Sequence, residues 1–206
     1  MKLLLITDQH FGARNDSIAF LDYYEQFYSN IVLPYIDENN IDTIIDLGDT
    51  FDRRKYVNFN TLERAKKMWF DPCASRNITM HTLIGNHDTY YKNTNEVNSP
   101  DLLLSDYSNI VTYPEAKVVE FDGTAIAMLP WICSGNYTES VNFIETAKAD
   151  ILMGHLELSG FAMMKGFEND HGMDKSLFNR YDTVFTGHYH HKSDDGRVYY
   201  LGNPYE

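Results

Sequence analysis

The sequence is short of cysteine, of bases and of long apolar runs, and each shortage narrows what the chain can be. Two cysteines in 206 residues, Cys73 and Cys133, lie in unrelated segments without metal-ligand spacing. That excludes a disulfide framework and a cysteine zinc site, and it suits a reducing compartment. The longest apolar stretch, Ala125 to Cys133, is nine residues and is broken by Pro130, well short of the ~20 residues a membrane span requires. The leading run to Ile6 passes straight into Thr7-Asp8 without a small-residue cleavage site, so a signal peptide is not expected. No repeat, low-complexity tract or Gly/Ser linker divides the chain. The expectation is one soluble cytoplasmic domain with no membrane partner, large enough to bury a core without staples.

Bases are outnumbered 17 to 30, for a net charge of −13, which on its face opposes nucleic-acid binding. The distribution is uneven. Between Arg53 and Lys67 six bases (Arg53, Arg54, Lys55, Arg64, Lys66, Lys67) face the single acid Glu63. By itself such a run reads as a solvated helix face and its connecting loop.

What is present is an alternation of short β-branched or leucine-rich runs with helical periodicity, the pattern of an α/β domain. Strands are expected at Lys2–Thr7, Ile41–Leu47, Ile78–Ile84, Lys117–Phe121, Ala125–Leu129, Asp150–Gly154, Thr183–Thr186 and Val198–Leu201. Ser17 caps a long amphipathic helix with Phe20, Tyr24, Phe27, Ile31 and Tyr35 on one stripe. A second helix opens at Asn58 or Asn60 with Leu62, Ala65 and Trp69 on one face, and a third spans about Tyr137 to Lys148.

The ionisable residues fall at strand exits. These are Asp8-Gln9-His10, Gly48-Asp49-Thr50-Phe51-Asp52, Gly85-Asn86-His87-Asp88, Gly154-His155 and Gly187-His188-Tyr189-His190. In open α/β sheets the carboxyl ends of the strands form the ligand crevice. Singly, Asp-x-His or Gly-Asp is a common turn, and a lone histidine is more often structural. Five such clusters in order, each ending a strand, are not chance. Carboxylate and amide oxygens mixed with imidazoles, without thiolate, suit Mn²⁺, Fe²⁺ or Zn²⁺. A pair of such ions needs a bridging carboxylate, and Asp49 leaves the central strand where one is wanted. Residues two apart on extended backbone share a face, so Asp8 with His10, and His188 with His190, are expected to reach a common pair of ions.

These five motifs, spread from Asp8 to His190, resemble the calcineurin-like metallophosphoesterase family. The resemblance implies a four-layer α/β/β/α sandwich with two mixed central sheets flanked by helices. It implies two divalent ions, Mn²⁺ first, with Mg²⁺, Fe²⁺ or Zn²⁺ as alternatives. One ion is assigned to Asp8, His10, Asp49 and His190, the other to Asp49, Asn86, His155 and His188. His87 is then the acid beside the phosphate and Asp88 the group that orients its ring. The Gly48-Asp49-Thr50-Phe51-Asp52-Arg53 and Gly85-Asn86-His87-Asp88 spellings depart from serine/threonine protein phosphatases. Together with Thr7 to Gly12, Leu129-Pro130-Trp131, Gly154 to Phe161 and Gly202-Asn203-Pro204, they are more similar to SbcD-type DNA-repair nucleases and the nuclease subunits of phage recombination complexes.

That similarity implies a DNA exonuclease and endonuclease of recombination and repair, partnered by an SbcC-type coiled-coil ATPase, in the host cytoplasm if phage-encoded. Arg53, Arg54 and Lys55, next to the metal cluster, become candidate DNA contacts. The expected unit is the 1–206 core without the capping domain and ATPase-binding region of such chains. Leu62, Trp69 and Phe59, with Leu102 to Leu104, are candidates for a homodimer seam, against ordinary core burial. Phe11, Tyr90 and Tyr91 are candidates for base stacking, His171 for a substrate contact, and His81 for a packed strand residue. The same metal pair would also serve a small-molecule phosphoesterase, and a catalytically dead scaffold is disfavoured because all seven ligand positions are filled.

Overall fold

The computed structural model describes residues 2–164 and 166–205. Two sheets face each other, with helices on their outer sides. The first is parallel throughout, in the order β1 (Leu3–Ile6), β2 (Thr43–Asp46), β3 (Thr79–Leu83), β4 (Ile110–Tyr113). The second is mixed. It runs β11 (Ser193–Asp194), β12 (Val198–Tyr200), β10 (Thr183–Gly187), β7 (Ile151–His155), β6 (Thr124–Leu129), β5 (Lys117–Phe121), with antiparallel pairs at its two edges. Of the two mixed sheets expected, only the second is mixed. Two short strands, β8 (Ala162–Met164) and β9 (Phe167–Glu168), pair separately.

The side-chain period of two builds the layers. Ile44 faces the helices while Ile45 faces the other sheet. Ala127 and Leu129 likewise point outward, and Ile126 and Met128 inward. Three cores result: helix on parallel sheet, sheet on sheet, and mixed sheet on the Tyr137–Thr146 helix. This is the expected four-layer sandwich. Among the described residues no helix is long and apolar enough to cross a membrane.

Both long helices contain a π-helical stretch. Tyr28–Val32 joins Ile18–Phe27 to Leu33–Asn39, and Lys66–Phe70 joins Phe59–Ala65 to Asp71–Ser75. Each is followed within two residues by a proline, Pro34 or Pro72. Proline has no N–H for the i−4 carbonyl, and the wider π turn absorbs the missing bond.

The π turn also corrects the expected helix stripe. Ile31 and Tyr35 are 59% and 53% exposed, and the buried stripe is Leu21, Tyr24, Tyr28, Val32 and Ile36. Two apolar stripes coexist here, and the extra residue of the π turn rotates the second half of the helix onto the other one. Other assignments change as well. Trp69 and Leu104 are fully buried, which removes them from any dimer seam. Phe11 is buried in an aromatic cluster with Tyr24, Tyr28, Phe51 and Phe70, so it cannot stack on a base. His81 packs as expected, with Nδ1 at 2.7 Å from the Tyr113 hydroxyl. Both cysteines are free and buried, and burial pushes the Cys73 thiol up to about 12.

The rotated stripe has a stability signature. Ile36→Ala should cost about 2–5 kcal/mol, as a buried aliphatic truncation does. Tyr35→Ala, one residue away, should change stability by less than about 0.5 kcal/mol. Urea unfolding of the two variants decides, and the reverse ranking would put the helix on its other face.

Candidate functional site

The seven side chains expected to hold metal leave five strand ends and meet on one rim between the sheets. Asp8 and His10 follow β1, Asp49 follows β2, and Asn86 follows β3. His155 closes β7, and His188 and His190 follow β10. Two triplets of these seven have ligand atoms within 4.8 Å of one another, Asp8, His10 and His190, and Asp49, His155 and His188, and a further group joins His10 to Asp52 and His87. Asp49 Oδ2 lies 3.6 Å from His10 Nε2 and 3.4 Å from His155 Nε2, so it stands between them. The Asn86 amide oxygen is 3.1 Å from His155 Nε2 and 2.8 Å from His188 Nδ1, which places it with the second triplet.

The backbone differs from the extended geometry expected. Asp8, His10, Asp49 and His188 all have positive φ, at 50°, 46°, 57° and 93°. Such conformations each cost on the order of 1 kcal/mol or more for a residue with a Cβ, and they turn the side chains in from tight loops. Two glycines permit this crowding. A Cβ on Gly85 would collide with the Asp49 backbone and carboxylate, and one on Gly187 with Thr7 Oγ1 and Asp8.

Electrostatics binds the nest together. Burial alone would raise Asp49, but the cationic forms of His155, His10 and His87 hold its carboxyl well below the usual range. Burial would lower His155, yet the Asp49 carboxylate, then Asp8 and the Leu47 carbonyl, push it up to about 9. His188 goes the other way, to about 4, through burial and the neighbouring His155.

The residues fit divalent ions. Asp8 and Asp49 are fully buried and no lysine or arginine pairs with either among the described residues. His10 Nε2 and His190 Nε2 face each other at 3.0 Å. Buried carboxylates and convergent imidazole nitrogens of this kind call for a cation.

The expected role of Asp88 needs correction. Its carboxylate accepts from the backbone N–H of Asp49 (2.8 Å), Gly85 (2.9 Å) and Phe51 (3.3 Å) and from the Ser99 hydroxyl (3.2 Å). It staples the Asp49 loop and does not orient His87, because β3 ends in a turn that directs Asp88 inward under that loop. The His87 ring is held instead by Asp52, whose carbonyl lies 2.6 Å from Nδ1. A carbonyl only accepts, so Nδ1 carries the proton and Nε2 is the acceptor of the neutral ring. Asp52 also sets its carboxylate 3.6 Å from His10 Nδ1. The signal for Asp52 was the second acid of Gly-Asp-x-x-Asp, immediately before the basic run.

The basic run divides. Arg53 donates to Asp16 (2.7 Å) and Asn15 (2.9 Å), clamping a turn in which Arg14, Asn15 and Asp16 all have positive φ. Arg64 pairs with Asp22 and Glu25, and Lys67 with Glu63. Arg54 donates to Thr89 Oγ1, Lys55 lies over the Tyr90 ring, and neither has a carboxylate partner among the described residues. The cations left for a ligand beside the site are therefore Arg54 and Lys55, with Tyr90 and Tyr91 exposed next to them.

An imidazole and carboxylate nest thus stands at the carboxyl ends of two facing sheets. The chain belongs to the calcineurin-like phosphoesterase family, whose model matches residues 1–192. It is 35% identical to exonuclease subunit 1 of Enterobacteria phage T4 over 209 residues, an alignment that takes in 100% of this chain and 60% of that protein. Among solved structures, GAP50, the anchor in the inner membrane complex of Plasmodium, aligns over 97% of this chain and 70% of its own with a TM-score of 0.55 and 15% identity, a likeness of fold. Pseudomonas putida nuclease MPE aligns over 98% and 72% with a TM-score of 0.47 and 17% identity.

The His155 shift has a definite sign. A folded-state value raised from 6.5 to about 9 means the ion pair with Asp49 stabilises the metal-free fold fully below pH 6.5 and is lost as pH rises through about 9. An imidazole must be neutral to ligate. Adding a divalent ion to metal-free protein at pH 7.5 should release about one proton per chain. Calorimetry in buffers of different ionisation enthalpy reads this directly, and zero release would contradict the pairing.

Proposed function

We propose that this chain is the catalytic core of a DNA nuclease that cuts phosphodiester bonds with two divalent ions, Mn²⁺ foremost. It would act in recombination and repair with an SbcC-type coiled-coil ATPase. The observation that carries DNA over a small phosphoester is the rim beside the nest. Arg54 and Lys55 are uncompensated cations in a chain of net charge −13, and His87, His188 and His190 are all partly open to solvent. A backbone phosphate lying across that rim meets positive charge there, with the contacts independent of sequence. The alignment of this whole chain to 60% of a phage exonuclease subunit supports the same reading.

When bound, the ions supply a water of lowered pKa and offset charge developing on the phosphate. The chain contributes the rest. Asp49 uses Oδ1 to accept the backbone N–H of His87 at 2.7 Å and leaves Oδ2 between the two triplets. The Asp52 carbonyl keeps the His87 proton on Nδ1, so that a second proton taken up at Nε2 can be handed to the leaving oxygen. His87 stands edge-on to His10 at 4.8 Å, within reach of a phosphate held at the nest.

A second copy of the chain is the proposed cover for the apolar surface beside this rim. Phe59 and Leu102 are 88% and 67% exposed, with Tyr56 and half-buried Leu62 and Leu103 around them. Phe59→Glu with Leu102→Glu should turn a dimer into a monomer in sedimentation at micromolar concentration. A wild-type chain that is already monomeric there would refute the seam.

Two substitutions test the reaction. His87→Ala should keep both metals and lose most turnover, about 10²-fold or more as for a lost acid; equal loss of metal would sink that role. Reversing Arg54 and Lys55 to glutamate should cut DNA hydrolysis, lower its log–log salt slope by about one per contact, and spare a small aryl phosphodiester. Parallel loss on both substrates, or an unaffected cyclic nucleotide as the better substrate, would favour a small-molecule phosphoesterase.

A further inference from the structure

Trp131 packs against the second triplet. Its indole lies 5.1 Å from the His188 ring at a 35° tilt and 6.1 Å from His155. The residue is fixed from both sides. Its backbone N–H donates to the Ile84 carbonyl (2.8 Å), and its carbonyl accepts from the side-chain amides of Asn95 (2.9 Å) and Asn136 (3.0 Å). The preceding Pro130 restricts the chain further. An aromatic residue so anchored, and still partly exposed, is a rigid wall at the edge of the metal nest.

The same indole lines a cleft of about 140 Å³ together with Ile132, His155, Glu157, His171 and Met173. The space suits one planar ring system. Its lining is mixed, with Trp131, Ile132 and Met173 apolar or aromatic and His155, His171 and Glu157 polar; Glu157 Oε1 accepts from the Asn169 amide at 3.3 Å, and Oε2 has no donor among the described residues. That oxygen is a ready acceptor for the N–H or amino group that each DNA base carries on its pairing edge. Because His155 belongs to both the nest and the cleft, a phosphate at the nest has its neighbouring base within reach of Trp131.

We propose that this cleft is a nucleobase subsite: the base next to the scissile phosphate leaves its stack and lies on the Trp131 indole, with Glu157 accepting from its pairing edge. The inference rests on the nuclease reading and adds a specificity-determining residue to it. The subsite is tolerant of sequence, since every base has a face to stack and an N–H to give. It favours unpaired strands, where the base is free to turn out.

The chain has two tryptophans, and Trp69 is fully buried, so quenching by a bound base reports on Trp131. In metal-free protein, a short single-stranded oligonucleotide should quench wild-type emission. The same strand with abasic sites should not, nor should either strand quench Trp131→Leu. With Mn²⁺, Trp131→Ala should slow cleavage beside a normal base by between about 5- and 150-fold, the range expected for one lost stacking contact. Beside an abasic residue it should match wild type, and Trp131→Phe should recover most of the rate. Equal impairment on both strands, or quenching by the abasic strand, overturns the subsite while leaving the nuclease reading intact. A wild-type chain that cuts neither strand overturns both.

Discussion

Two carboxylates buried side by side, Asp8 and Asp49, set the terms for everything around them. Like charges without water repel strongly, and among the described residues no arginine or lysine is paired with either. The charge compensation is imidazolium, from His10 and His155, which the carboxylates push up, while burial holds His188 and His190 neutral beside them. Because the two acids and their partners come from four strand ends, two in each sheet, the sheets must face each other with their carboxyl edges aligned. The inter-sheet core of Ile45, Leu83, Met128 and Met153 is what maintains that alignment.

Four buried carboxylates lie in this region, and their surroundings sort them. Asp8 and Asp49 face imidazoles and are held low. Asp46 and Asp88 face mainly backbone and amide N–H groups and each other. Burial and the Asp88 charge push Asp46 up to about 8, and burial and Asp49 push Asp88 up to about 6. The first pair points at the rim, where charge is useful; the second pair braces the loops from beneath. Separation of this kind is how one cluster of acids performs distinct tasks.

Much of this was legible in the sequence because period-2 apolar runs, each ended by a polar cluster, mark both the strands and the rim they open onto. The parts that were not legible depend on backbone torsions. A tripeptide such as Asp8-Gln9-His10 reads as extended, yet both outer residues turn to positive φ. Asp88 sits beside His87 in sequence but points under the loop, since adjacent residues in a turn share no face. The helix stripe failed at Ile31 and Tyr35 because a π turn changes the phase of the pattern without changing its composition. The short edge strand β4 and the five-residue helix Ser99–Leu103 carry too little periodicity to be seen.

The strained ligand loops raise the question of what holds them, and the answer lies one layer beneath the site. Asp46 accepts from the Gly48 N–H (3.1 Å), the Thr50 hydroxyl (3.0 Å) and the Gln9 amide (2.8 Å). Gln9 in turn takes the Tyr28 hydroxyl on its side chain and the Tyr24 hydroxyl on its carbonyl. One buried carboxylate thereby ties the Asp8-Gln9-His10 turn to the Gly48-Asp49-Thr50 turn, and both to the long helix. A fully satisfied polar network in a low-dielectric interior is worth more than its bonds taken singly. The π turn of that helix begins at Tyr28, so the backbone irregularity that hid the true stripe is also where the helix hands its hydroxyl to the ligand-bearing loop.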